Sequence, residues 1–390
     1  MKPTPYLVLG GMLLSGACLP AAAQSSMTVY GIADAAITHL DHRAGAARTY
    51  MRGGPKDGTR IGFKGSEDLG NGTSVLYVLE AGYNIDDGTA AQAGSIFNRA
   101  SYVGVSNKRL GTLTAGRQYS PYFDFLTPLG PLPVVTGAAG DHAGDIDGFD
   151  VTIRNNNSVK YKSAEWHGVT VGAMVAAGEQ AEGSGSAGAS YSAAVKYDGG
   201  PLHYALGYQL LKNGTNQANW DATSAGSFSK SAVNAGYLSA RDVQYIATGL
   251  RYEIGRVSLG ATLSNVQYRP NERSLFRDTA TFNTASLLAG WATASPWAFG
   301  AAVADTRATR SNGITDPANY LQFSLMQAYW LSKRTVVYLL EATQHAHGRT
   351  LSSNAGSQVD AGAVLGVSQT GLVADSRGQT AFTLGLRHAF

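Results

Sequence analysis

Nine basic side chains fall on one parity of short alternating segments: Arg60, Lys64, Arg99, Arg154, Lys160, Lys162, Lys196, Arg251 and Arg387. Five acidic side chains share that placement, namely Asp34, Glu80, Asp198, Glu253 and Glu341. Ile61 and Phe63 form one face of their segment, which leaves Arg60, Gly62 and Lys64 on the other. Val75, Tyr77, Leu79 and Tyr83 do the same for Glu80, Ala100 and Tyr102 for Arg99, and Val159 and Tyr161 for Lys160 and Lys162. Arg154 joins the set if its segment extends that far. A wall on which one sign of charge dominates concentrates counter-ions, here anions. Arginine suits that task, because its guanidinium stays charged and grips a carboxylate or phosphate with two prongs.

Residues for covalent chemistry are present but scattered. His39, His42, His142, His345 and His347 lie in connections rich in Ser and Asp. A nucleophile and its base must meet within about 3 Å, and no motif brings these together. His345-Ala346-His347 lacks further ligands at metal-site spacing. Asp145 and Asp147 are alternate loop carboxylates of the kind calcium takes, without the Gly and closing Glu of an EF-hand loop. No cofactor and no catalytic residue is expected.

The elements that position these charges are strands. Sixteen alternating segments run over 27–38, 59–68, 73–84, 97–106, 111–118, 157–163, 168–177, 190–198, 202–211, 242–253, 256–268, 281–292, 296–308, 318–330, 334–345 and 379–390. Many have the length of about 9–11 residues that a tilted strand needs to cross hydrocarbon. Their connections alternate. Tight turns such as Gly70-Asn71-Gly72 and Gly199-Gly200-Pro201 are followed by long loops over 39–58, 85–96, 119–156, 178–189, 212–241, 269–280, 309–317 and 346–378. An even strand count sorted in this way predicts an all-β, 16-stranded antiparallel transmembrane β-barrel, with both chain ends on the tight-turn side. A secreted soluble β-protein has no reason to sort its loops. The last segment, Thr380–Phe390, alternates to a terminal aromatic, an interfacial anchor for a closing strand.

Composition agrees. Charged residues are 15% of the 390, with 48 Gly, 20 Tyr and 12 Pro, against about 25% charged in soluble domains. Residues 1–23 read as a signal peptide, with Lys2, an apolar run over 6–19 and Ala21-Ala22-Ala23 as cleavage site. Residues 24–390 then form one barrel. Cys18 lies in the removed segment, so the mature chain has no thiol. Without Lys2 it holds 29 basic and 27 acidic residues, too even a balance for nucleic acid as partner. Ser/Gly-rich patches at 183–188 and 222–231 fall in long loops.

Motifs along the whole mature chain resemble the Gram-negative general porins, especially those with a basic, anion-selective channel. They are Val29-Tyr30-Gly31-Ile32-Ala33-Asp34, Arg60-Ile61-Gly62-Phe63-Lys64-Gly65-Ser66-Glu67-Asp68-Leu69-Gly70, Leu79-Glu80-Ala81-Gly82-Tyr83, Phe97-Asn98-Arg99, Gly116-Arg117-Gln118-Tyr119, Arg154-Asn155-Asn156-Asn157-Ser158-Val159-Lys160-Tyr161 and the final Phe390. The resemblance implies an outer-membrane homotrimer in a bilayer with lipopolysaccharide. It implies passive diffusion of small anionic or neutral hydrophilic solutes, and a third loop, about 119–156, folded inward to narrow the pore.

By the same resemblance, Arg60, Arg99 and Arg154 match an arginine ladder that faces third-loop acids. Glu80 matches a wall carboxylate beside them, and Lys64 and Asp124 complete the expected constriction. Asp34, Lys160, Lys162, Lys196, Arg251 and Arg387 are expected along the lumen wall. Arg117 shares parity with Leu113 and Ala115 and so points outward. An arginine of this motif meets an acidic second loop of a neighbouring subunit, a part for Asp86 and Asp87. The resemblance also implies that Phe390 is part of the signal read by the outer-membrane assembly machinery. The loop itself departs from the family, since 126–135 is apolar with three prolines and the acids Asp141, Asp145, Asp147 and Asp150 come later. A substrate-specific channel and a barrel-type hydrolase stand as alternatives.

Overall fold

The computed structural model describes residues 26–43, 46–150, 153–178, 188–213, 231–366 and 376–390. The expected signal peptide and most of both Ser/Gly-rich patches lie outside them.

Among the described residues, nineteen strands form. They are β1 (Ser26–Arg43), β2 (Ala46–Gly53), β3 (Arg60–Gly70), β4 (Thr73–Gly82), β5 (Ala100–Asn107), β6 (Gly111–Gln118), β7 (Asn155–Lys162), β8 (Val169–Ala176), β9 (Ser190–Gly199) and β10 (Leu202–Lys212). They continue as β11 (Asp242–Ile254), β12 (Val257–Arg269), β13 (Ala280–Ala292), β14 (Trp297–Ala308), β15 (Asn319–Trp330), β16 (Thr335–His347), β17 (Arg349–Leu351), β18 (Gln358–Asp360) and β19 (Gly378–Ala389). β17 and β18 form a small hairpin in a loop. The rest make one antiparallel sheet that closes where β1 pairs with β19, from Ile32 against Ala389 to Leu40 against Ala381. Closure leaves no edge with unpaired backbone groups, which a bilayer requires. Among the described residues no helix is long and apolar enough to cross a membrane; the strands span it instead.

Seventeen sheet strands make sixteen staves, because β2 and β3 are two halves of one. β1 pairs first with β3, from Ser26 against Ser66 to Ile32 against Arg60, and then with β2, from Ala35 against Gly53 onward. The stretch 39–58 is therefore not the long loop its composition suggests. Arg48, Tyr50 and Arg52 gave 46–53 no apolar parity to recognise. Between the halves, the turn-forming run Gly54-Pro55-Lys56-Asp57-Gly58 folds inward. Its Lys56 and Asp57 amides each donate to Asp34 Oδ2 at 2.8 Å.

Alternation sorts the two faces. On β10 to β15 the outward set includes Leu206, Leu250, Leu263, Leu287, Phe323 and Leu325, all exposed. Near the tight-turn end it becomes aromatic. Trp297 stacks with Phe299 at 6.0 Å and meets Tyr329 edge-on at 4.9 Å, an interfacial girdle. His388, on the outward face of β19, bonds Thr335 Oγ1 at 2.9 Å on that rim. One parity assignment fails. Glu341 of β16 pairs with Leu325 and Phe382, both exposed, so it points out. The inward residues of β16 are Val336, Tyr338, Leu340 and Ala342, which are buried against the loop.

Candidate functional site

The third loop begins where Ser120 caps α1 (Pro121–Leu126). Its hydroxyl accepts from the Phe123 amide, and Pro121 takes the first helical position, where no amide partner is needed. From there the loop crosses the barrel against β8 to β14. The wall accommodates it with glycines on the inward parity: Gly172, Gly207, Gly249, Gly260, Gly290 and Gly300. A Cβ at Gly207 would lie 2.8 Å from Leu126, at Gly290 2.8 Å from Val134, and at Gly300 2.9 Å from Val135. The glycines form a groove, and the proline-stiffened apolar run is its occupant. Leu126, Leu129, Ile146 and Phe149 then pack with Tyr245, Tyr268 and Phe282 of the wall. Each such side chain contributes about 1.5–3 kcal/mol of burial.

The later acids of the loop are buried as well. His142 Nδ1 pairs with Asp147 Oδ2 at 2.7 Å, and the Ser264 hydroxyl donates to the same oxygen. Asp145 accepts from the Asp150 amide at 2.8 Å, and Asp150 from the Asp141 amide at 2.8 Å. Thr136 donates to Asp141 Oδ1 at 3.0 Å, while Asp141 Oδ2 has no partner. Burial and the Asp150 carboxylate push Asp141 well above the usual carboxylate range. The trio Asp147, His142 and Thr262, with His142 Nε2 at 3.4 Å from the Thr262 hydroxyl, resembles a hydrolytic relay in outline. All three are buried, so they hold the loop to β12 and meet no substrate. Among the described residues no cluster of His, Cys, Asp or Glu could hold a metal ion.

The opposite wall carries the charge. Glu80 Oε1 accepts from Arg99 Nε at 2.6 Å, and Arg60 Nε stands 3.6 Å from Oε2. The Tyr30 hydroxyl donates to that second oxygen at 3.0 Å. Arg60 Nη1 donates to the Gly58 carbonyl at 3.0 Å. A Cβ at Gly58 would stand 3.0 Å from Arg99 Nη1, so the inward fold packs closely on that guanidinium. Arg154 donates from Nε to the Tyr119 hydroxyl at 3.0 Å and lies 5.2 Å from that ring's centroid. Tyr119 in turn stacks on Phe123 at 4.1 Å. A cavity of about 520 Å³ runs between the wall and the loop. Lys56, Asp57, Arg60, Arg99 and Glu80 line one side, and Tyr119, Phe123 and Leu132 the other.

The sequence-expected residues thus divide. Arg60, Glu80 and Arg99 come together, with Arg154 joined through Tyr119. Lys64 lies 5.2 Å from the Tyr30 ring centroid, further toward the tight turns. Asp124 does not face the arginines. It accepts from Lys160 Nζ at 2.7 Å and, with Lys162, lines a second cavity of about 270 Å³ beneath α1. Asp34 points inward but is fully buried under the 54–59 fold, where the Tyr338 hydroxyl also binds it at 2.6 Å. Arg387 pairs with Asp57 at 2.8 Å, Lys196 with Asp198, and Arg251 donates to the Gly130 carbonyl at 3.2 Å. Arg117 donates to the Asn98 carbonyl at 2.9 Å, to Asn156 and to Gln92, and the described contacts do not pair it with Asp86 or Asp87. Phe390 exchanges backbone hydrogen bonds with Gly31 at 3.1 Å, its ring set over that glycine. Lys56, Tyr30, Tyr119 and Phe123 are site residues that parity alone does not flag; the turn run at 54–58 is the signal for the first.

Comparison with known proteins places this geometry. A family model described as Gram-negative porin matches residues 11–346. The chain belongs to the Gram-negative porin family. It is 28% identical over 396 residues to outer membrane porin protein 32 of Delftia acidovorans, covering 98% of this chain and 99% of that one. It is 30% identical over 245 residues to an outer membrane porin of Bordetella pertussis, and there the match spans 56% of this chain and 62% of the relative. In fold it is similar to the anion-selective porin from Comamonas acidovorans, with TM-score 0.72 and 24% identity over 94% of this chain and all of the other. The porin is therefore an outer-membrane barrel. Its tight turns face the periplasm and its long loops the exterior.

Proposed function

We propose that this porin is a water-filled channel for passive diffusion of small hydrophilic solutes, and that it prefers anions. One observation carries the reading. The cavity between wall and loop presents Lys56, Arg60 and Arg99 against Asp57 and Glu80, while the later third-loop acids, Asp141, Asp145, Asp147 and Asp150, are buried. Glu80, which accepts from Arg99 Nε and stands 3.6 Å from Arg60 Nε, offsets only part of that charge, and Asp57 is paired with Arg387. The Comamonas porin of the same fold is itself anion-selective. Purified protein in a planar bilayer under a potassium chloride gradient tests this. Step-like conductance with a reversal potential on the chloride side is expected. Absence of conductance would end the channel reading, and a potassium-side potential would end the anion preference.

The assembly we propose is a homotrimer. An outer membrane protein of Vibrio cholerae with this fold was solved in trimer form. The outward face of β1 carries a run of small residues, Gly31, Ala33 and Ala35, between Val29 and Ile37, unlike the aromatic girdle of β10 to β15. Asp86 and Asp87 sit in the second loop, not paired with Arg117 of their own chain in the described contacts, and are the groups to meet that arginine of a neighbour. Phe390 is proposed as part of the assembly signal.

A further inference from the structure

We infer that the constriction favours one class of solute, small aromatic carboxylates, over aliphatic carboxylates of similar charge. The inference rests on the channel reading and refines it. The cavity has two unlike sides. On the wall side, Glu80 accepts from Arg99 Nε and stands 3.6 Å from Arg60 Nε, Gly58 O takes Arg60 Nη1, and the Asp57 carboxylate is engaged by Arg387. Among the described contacts, Arg60 Nη2 and both Nη atoms of Arg99 donate to no protein acceptor. Their geometry suits a carboxylate, held by charge-assisted hydrogen bonds.

The loop side offers no charge of either sign within the cavity lining. It offers the half-buried rings of Tyr119 and Phe123, stacked on each other at 4.1 Å, with Leu132 beside them. Arg154 against Tyr119 extends the stack and fixes that ring. Holding half-buried aromatic rings at the edge of a charged cavity has a use if a solute brings an apolar ring of its own. An anion with such a ring meets guanidinium donors with one end and an aromatic surface with the other. The volume, about 520 Å³, is that of a small-molecule site, roughly 300–1,000 Å³.

The test compares benzoate with acetate as blockers of single-channel chloride current in the reconstituted trimer. Benzoate should half-block at a concentration about three- to tenfold lower than acetate, the weight of one aromatic pair. Phe123→Leu, which keeps an apolar side chain but removes the ring, should bring the two concentrations together. Equal block by both anions in the wild type, with chloride preference intact, would overturn this inference and leave the channel reading standing. An advantage for benzoate that survives in Phe123→Leu would overturn it too. A silent protein would instead sink the channel reading itself.

Discussion

The two halves of the lumen wall are built on opposite rules. From β3 to β7 the inward parity carries long charged side chains, and the space before them stays open. From β8 to β14 it carries glycines, with the few charges there, such as Lys196 and Arg251, tied to Asp198 and to the loop, and the space is filled by the third loop. The same barrel thus makes a filter on one side and a bed for a plug on the other. The difference shows that the loop's apolar run and the wall's bare positions are one feature, each unintelligible alone. It also shows why the acids of the loop are poor candidates for the filter: the packed half has claimed them as anchors.

The comparison can be broken from the packed side. Leu126 is fully buried between α1 and β10. Leu126→Ala should cost about 2–5 kcal/mol, seen as a lower melting temperature of the protein in detergent. It should also make open-channel current noisier, as the loop loosens. A steady channel of unchanged stability would show that the loop is held elsewhere. Gly290→Leu fills the bed instead of thinning its occupant. It should cost about 1–3 kcal/mol by overpacking against Val134 and change conductance without reversing ion preference. A reversal would mean that the packed half sets the charge selectivity after all.

Much of the barrel was legible in the sequence. Period-2 alternation and the sorting of turns from loops mark the staves, and parity puts Arg60, Glu80 and Arg99 on one face. The second stave was hidden because Arg48, Tyr50 and Arg52 point into the lumen at its outer half, where both faces of a strand are polar. Glu341 misled because a carboxylate on an outward face contradicts the energetics that parity relies on. The bed was written in Gly172, Gly207, Gly249, Gly260, Gly290 and Gly300, all of one parity, yet a glycine in a strand signals a close approach without naming what approaches. The burial of Asp141, Asp145, Asp147 and Asp150 depends on contacts with strands about a hundred residues away, which no local pattern records.

A subtler test acts through pH. Asp141 keeps a proton in the folded loop at pH values where the unfolded carboxyl has lost it. Its contribution is therefore complete in acid and falls away as pH rises from the ordinary value of 3.8 toward the raised one. Asp141→Asn fixes the neutral form. It should stabilise the porin by about 1–2 kcal/mol at neutral pH and make little difference near pH 4, as melting curves at the two pH values would show. An equal effect at both would remove Asp141 from the account. The smallest expected effect lies outside the lumen. Arg117→Ala should weaken the trimer by about 1 kcal/mol per contact, read as a lower temperature of dissociation into monomers on a gel. An unchanged trimer would confine Arg117 to its bonds within the chain.

The central claim is that ion preference is set on the charged half alone. Reversal potentials of the wild type and of the Arg60→Ala/Arg99→Ala double variant, in one bilayer and one potassium chloride gradient, test it most directly. The account predicts a chloride-side potential for the wild type that collapses toward zero or changes sign in the variant. An undiminished chloride-side potential in the variant would contradict it.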